Sequence, residues 1–241
     1  MQICGLMKTT LLDYPGKVAS TIFLGGCNMR CVFCHNMNLV TGVNEIPKIP
    51  VSDVIDHLNS RIGVIDGVCI TGGEPTLHPD LIDLISTIKE MGFLVKLDSN
   101  GSKTSVLEEL IAKKLVDYIA IDVKASFNKY PVICGLNSGF DSDSQVKSII
   151  KNVRDTIDLL VKHDLINYEF RTTVIREYHD ENEFELIGDM LQGASNYYLQ
   201  GFVKSRFVPE TSLNGYSADE LRRFVNILAP KIKHVDIRGV D

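Results

Sequence analysis

Apolar residues in this chain fall into short strand-like runs, separated by longer stretches in which they recur at helical spacing. The runs Val18 to Leu24, Asp66 to Thr71, Phe93 to Leu97, Asp117 to Val123, Tyr168 to Ile175 and Asn196 to Gly201 read as strands. His234 to Ile237 makes a last short one. Between them the pattern predicts helices over Ser52 to Ser60, with Ser52 as N-cap, and from Pro79 to about Met91, where Gly92 ends it. Further helices are expected over Thr104 to Lys114, Ser144 to His163 and Glu181 to Leu191. Ser217 with Glu220 forms a capping box that opens a helix to about Leu228. Pro15-Gly16 marks a tight turn, and Pro47 and Pro50 keep the chain extended before the first helix.

Strand and helix alternate, so the fold class is α/β, with parallel strands and right-handed crossovers. The strand faces separate a flat sheet from a barrel. Ile119, Ile121 and Val123 share one face, while Asp122 and Lys124 share the other. Phe170 and Val174 lie opposite Glu169, Arg171 and Thr173, and Lys96, Asp98 and Asn100 fall together. A sheet covered on both sides is apolar on both. One polar face per strand suits a barrel with helices outside and a polar interior. Six to seven strands are too few for a closed eightfold barrel, so a partial, open (β/α)6-type barrel is expected. It forms one domain over residues 1–241, with a cysteine loop at 25–40, a barrel core over about 18–203, and a C-terminal helix and short strand over 217–238.

Composition narrows the class. At 241 residues, 44% hydrophobic and 23% charged, the chain suits an ordinary globule. A net charge of −6 without a lysine–arginine cluster argues against a nucleic-acid partner. No apolar run reaches the length of a membrane span, and Met1 to Lys8 lacks the features of a signal peptide. A cytoplasmic location is expected. Among the six cysteines, Cys4, Cys69 and Cys134 are isolated, and Cys69 reads as a buried, inert thiol.

The other three cysteines stand in Gly25-Gly26-Cys27-Asn28-Met29-Arg30-Cys31-Val32-Phe33-Cys34-His35-Asn36. Thiolates at C-x3-C-x2-C spacing suit an iron–sulfur cluster, a zinc ion completed by His35, or a redox pair. A cubane cluster normally takes four cysteines, so three would leave one iron open to a ligand. Downstream, Gly72-Gly73-Glu74-Pro75 ends a strand, where glycines permit close approach to the backbone. Asp98, Asp122, Lys124 and Arg171 lie at the carboxyl ends of later strands, all predicted inward. They either meet a ligand or form an internal salt-bridge network.

Together these features resemble the radical S-adenosylmethionine superfamily, with Phe33 as the aromatic residue before the last cysteine. The resemblance covers Val18 to about Gln200. It implies a [4Fe-4S] cluster on Cys27, Cys31 and Cys34, whose open iron binds S-adenosylmethionine. It also implies that Gly72, Gly73 and Glu74 meet the methionyl amino group, and that Phe33 and His35 lie beside the adenine. Asp98, Asp122 and Lys124 fall where glycyl-radical activating enzymes place groups around the cofactor, and Arg171 and Gln200 join the cofactor or the substrate loop. Leu12-Asp13-Tyr14-Pro15-Gly16 and Cys34-His35-Asn36 look like the activating proteins of anaerobic ribonucleoside-triphosphate reductase. The implied partners are that reductase, as a glycyl-radical protein substrate, and a small electron donor such as flavodoxin or ferredoxin. Activators of pyruvate formate-lyase carry a histidine near the end of the sixth strand, and Tyr198 to Val203 has none. Two other readings remain: a radical enzyme acting on a small molecule or modified nucleoside, and a zinc-stabilised binding module.

Overall fold

The structure is a computed structural model that describes residues 1–136, 142–162 and 166–240. Its eight strands form one sheet whose hydrogen-bonded order follows the chain from β1 to β8, which is the expected open α/β barrel class. The chain divides into two compact units. The first comprises Met1–Asn28, Asn36–Ser99 and Ser105–Ala120; the second comprises Met29–His35, Asn100–Thr104 and Ile121–Asp241.

In the first unit, β1 (Ile3–Thr10) runs antiparallel to β2 (Ala19–Leu24). After α1 (Met37–Thr41) and α2 (Val51–Asn59) comes β3 (Gly67–Gly72), parallel to β2 with Ile22 beside Ile70. Then α3 (Leu81–Glu90) leads to β4 (Leu94–Ser99), which places Leu97 beside Ile70, and α4 (Thr104–Ala112) follows. The helical spacing of Leu81, Leu84, Ile85 and Ile88 gives α3 one apolar stripe, and all four are buried. Burying each contributes roughly 1.5–3 kcal/mol relative to exposure.

Two expectations needed adjustment here. β1 was not anticipated, because its burial does not alternate cleanly and Met7 to Thr9 are exposed. It is an added antiparallel strand beside β2, held by backbone pairing rather than by an apolar pattern. The first predicted cap also moved. Pro50, with φ −59°, occupies the N-cap of α2, and the Ser52 hydroxyl turns to the Asp53 carboxylate instead.

β5 (Tyr118–Asp122) carries the chain into the second unit. There α5 (Tyr130–Ile133) and α6 (Asp143–Lys162) precede β6 (Asn167–Val174). The predicted helix end at His163 lies outside the described residues. β6, β7 (Asn196–Gly201) and β8 (His234–Arg238) are parallel, with Arg171 beside Tyr198 and Tyr198 beside Asp236. Between them run α7 (Glu181–Met190) and α8 (Ala218–Leu228). The face alternation is as expected: Ile119, Ile121, Val123, Phe170 and Val174 are fully buried. α8 buries Leu221, Phe224 and Leu228, and the Phe224 ring stacks on Phe184 at 4.5 Å. Among the described residues no helix is long and apolar enough to cross a membrane.

The capping box of α8 is complete, with Ser217 Oγ accepting from Glu220 N–H and Glu220 accepting from Ser217 N–H. Ser217→Ala removes the acceptor for an otherwise orphaned amide. It is expected to lower unfolding stability by about 1 kcal/mol in urea titration, with an unchanged m-value.

Candidate functional site

In the first unit, the glycine loop at the end of β3 lies directly against the backbone at the end of β2. Gly73 N–H donates to Leu24 O at 2.8 Å, and Glu74 N–H donates to Gly26 O at 2.8 Å. Gly72 has φ +123°, and a Cβ there would stand 2.3 Å from Leu24 O. A Cβ on Gly73 would stand 2.0 Å from Gly26 O. The close approach that both glycines permit is therefore first of all that of the chain's own backbone. The buried Glu74 carboxylate accepts from Thr76 N–H, from the Thr76 hydroxyl and from the Ser99 hydroxyl at 2.8 Å. It braces the loop. Asp98 is ion-paired with the buried Lys96, whose ammonium lies 5.9 Å from the Tyr118 ring centre.

Cys27 belongs to the first unit, and Cys31 and Cys34 to the second. Cys31 is buried. The neighbouring Cys134, opposed by burial and aided by the Lys124 charge, lowers the pKa of Cys31. Cys34 N–H donates to Cys31 O at 3.1 Å, closing a turn around the second and third cysteines. Phe33 is buried with the Lys124 ammonium 5.7 Å from its ring centre. His35 is exposed; its ring stacks on Phe202 at 5.5 Å and its Nε2–H donates to Val203 O at 2.7 Å. Among the described residues no group of three or more Cys, His, Asp or Glu side chains is gathered as a metal-holding set. The fit to an iron–sulfur group lies in the donors: soft thiols on one loop, one of them beside a buried ammonium.

Asp122 and Lys124 at the end of β5 and Arg171 on β6 come together. Asp122 accepts from Lys124 Nζ at 3.0 Å and from Arg171 Nε at 2.9 Å. Arg171 also lies 3.9 Å from Glu169, which is buried and paired twice with Arg238 at 3.0 Å. Arg238 in turn lies 3.3 Å from the Tyr198 ring centre. Burial alone would raise the Asp122 carboxyl, but Arg171 and Lys124 outweigh it and hold it well below the usual carboxylate range. Burial works against the Lys124 charge, yet Asp122 and the Cys31 thiol reverse this and raise its pKa. Asp98, Asp122, Lys124 and Arg171 each have an ion-pair partner. Gln200 sits on β7 beside Thr173 and Arg238, and its side-chain amide has no hydrogen bond among the described residues.

The sequence reading missed Cys134, Glu169 and Arg238. Glu169 shares a strand face with Arg171, which was a usable signal. Cys134 has no spacing relation to the loop, and only the docking of α5 brings it beside Cys31.

Asp122→Asn leaves Lys124 and Arg171 without their shared anion. Removing one partner of a buried pair costs about 3–5 kcal/mol, and the partial exposure of Asp122 reduces this to about 2–3. Because the folded-state pKa is depressed, the contribution is complete above the unfolded value of about 3.9 and disappears as pH falls through the folded value. Urea titrations at several pH values are expected to show the two proteins furthest apart at pH 5–7 and converging below about pH 4.

The family model described as the Radical SAM superfamily matches residues 21–188. A protein of Methanocaldococcus jannaschii, provisionally named a glycyl-radical enzyme activating enzyme, is 33% identical over 99% of this chain and 96% of its own length. A second protein of that organism with the same provisional name is 29% identical over 89% of this chain and 77% of its own. Among solved structures, Streptococcus suis SuiB bound to S-adenosylmethionine aligns with a TM-score of 0.63 at 14% identity. That alignment covers 91% of this chain and 52% of the other, and speaks to the fold alone. The chain belongs to the radical SAM superfamily, whose cofactors are a [4Fe-4S] cluster and S-adenosylmethionine.

Proposed function

We propose that this protein cleaves S-adenosylmethionine reductively and places a glycyl radical on anaerobic ribonucleoside-triphosphate reductase. The observation that carries the reading is the C-x3-C-x2-C loop in a chain aligned over nearly its whole length with a relative named for glycyl-radical activation. The reductase as target is supported by Leu12-Asp13-Tyr14-Pro15-Gly16 and Cys34-His35-Asn36.

Cys27, Cys31 and Cys34 would hold the cluster, which with S-adenosylmethionine would supply one-electron cleavage chemistry. The backbone of Gly72 and Gly73 would meet the amino acid end of the cofactor, and Glu74 keeps that loop in place through Thr76 and Ser99. Phe33 and His35 would flank the adenine. Asp98, Asp122 and Lys124 would line the cofactor. The ladder Arg238, Glu169, Arg171, Asp122, Lys124 alternates cations and carboxylates beside that site. Gln200 and Arg171 would receive the substrate loop. The electron comes from a small carrier such as flavodoxin or ferredoxin, in the cytoplasm.

Anaerobic reconstitution followed by incubation with reductant, S-adenosylmethionine and the reductase tests this. A glycyl doublet in electron paramagnetic resonance and stoichiometric 5′-deoxyadenosine are expected. A colourless protein holding one zinc, with no 5′-deoxyadenosine, would sink the reading. A doublet on another glycyl-radical enzyme but not on the reductase would remove the target only. Cys27→Ala, Cys31→Ala and Cys34→Ala are each expected to lose iron, sulfide and at least a hundredfold of the cleavage rate. Cys69→Ala keeps its iron, since Cys69 is fully buried in β3.

A further inference from the structure

After β7 a run of exposed residues, Val203 to Phe207, spans the gap between the buried Phe202 and Val208. Both ends of this strap are pinned. Gly215 packs so closely that a Cβ there would stand 2.6 Å from Phe202 O. Val208 N–H donates to Ser205 O at 3.2 Å, and Phe207 N–H donates to Ser205 Oγ at 3.3 Å, which closes a turn. The segment also lies on the cysteine loop of the same unit. His35 Nε2–H donates to Val203 O at 2.7 Å, and just past the strap Glu210 N–H donates to Val32 O at 3.4 Å. Its side chains nevertheless turn to solvent: Val203 is 62% exposed and Phe207 39%. Lys204 and Arg206 are exposed with them, and neither has an ion-pair partner among the described residues. The Arg206 guanidinium lies 4.7 Å from the Phe207 ring centre. Glu177 and Glu210 turn their carboxylates to Asn214 and Ser212 instead.

We propose that Val203, Lys204, Arg206 and Phe207 form the docking surface for a small acidic redox protein that delivers the electron. The inference rests on the proposed reductive function and names the place of its electron donor. A carrier has to bring its redox group close to the loop that bears the cysteines, and this segment touches that loop at His35 and Val32. Charge selects the partner. The whole chain carries −6, so an acidic protein is repelled by its average surface and steered toward two unpaired cations. The same cations disfavour a second copy of this chain, since a twofold contact would set like charges against each other. Val203 and Phe207 supply an apolar anchor, with Lys204 and Arg206 as its polar rim. Because the strap is already fixed at both ends, docking orders little.

The test is titration calorimetry of oxidised flavodoxin into the reconstituted holoprotein at about 50 mM and about 500 mM salt. Wild type is compared with two double variants, Lys204→Glu with Arg206→Glu and Val203→Ser with Phe207→Ser. Circular dichroism and S-adenosylmethionine affinity are expected to be unchanged in both. Charge reversal is expected to weaken flavodoxin binding about tenfold at the lower salt, with the gap closing at the higher. The serine variant is expected to lose about tenfold at either salt. Stopped-flow reduction by flavodoxin slows in step, while reduction by photoreduced deazaflavin, a small molecule that needs no docking surface, keeps its rate. Wild-type affinity in both variants overturns the proposal, and so does a wild type that binds no flavodoxin. Loss of reductase binding with flavodoxin binding kept would give the strap to the protein substrate, and a halved light-scattering mass would give it to a second copy; either result overturns the proposal. A glycyl doublet together with flavodoxin binding that ignores the strap removes this inference and leaves the proposed function standing. Flavodoxin bound through the strap without any doublet on the reductase removes the target and leaves this inference standing.

Discussion

Buried charge has to be neutralised, and much of this protein's polar face is arranged around that requirement. Asp122 sits between Lys124 and Arg171, and Arg171 leads on to Glu169 and Arg238. Strands β5, β6 and β8 thus exchange charges through side chains as well as backbone. On the opposite face, Ile121, Val123 and Phe170 are fully buried. The same strand therefore supplies core packing on one side and an ionic lattice on the other. The ionic side is expensive unless complete, since a single unpaired member would carry its full desolvation cost. This explains why the polar residues occur as a set rather than singly.

Backbone contact does the corresponding work in the first unit. The Gly72-Gly73 segment touches Leu24 and Gly26 so closely that no side chain fits between them. That contact anchors the start of the cysteine loop, which leaves the end of β2 without secondary structure of its own. Glu74 fastens the segment from the far side through Thr76 and Ser99. In the second unit, α5 performs a similar service for Cys31 by accepting the amide protons of Arg30 and Val32. A loop rich in thiols gains little from hydrophobic burial, so backbone hydrogen bonds from neighbouring segments hold it in place.

This division of labour fits radical chemistry. No general base is needed; what is needed is a fixed set of soft ligands, a site for an amino acid moiety, and a neighbourhood that sets the electron's energy. The pairing of Asp122 keeps Lys124 charged despite its burial.

Strand and helix order, the parallel arrangement and the cysteine spacing were legible in the chain itself, because each depends on residues near one another in sequence. The alternation of Ile119, Ile121 and Val123 against Asp122 and Lys124 is a period of two that any strand displays. The capping box at Ser217 and Glu220 is likewise a contact over three residues. Other features depended on packing. β1 has no clean alternation and forms because β2 offers it an edge. The N-cap of α2 fell to Pro50 because its backbone was already extended, which no side-chain preference of Ser52 could override. That Asp122, Lys124 and Arg171 pair with one another depends on β5 and β6 lying side by side. Cys134 reached Cys31 only through the folding of α5 onto the loop. Local chemistry is written in the order of residues. Which distant groups become neighbours is decided when strands pair and helices dock, since only then do buried polar atoms find their partners.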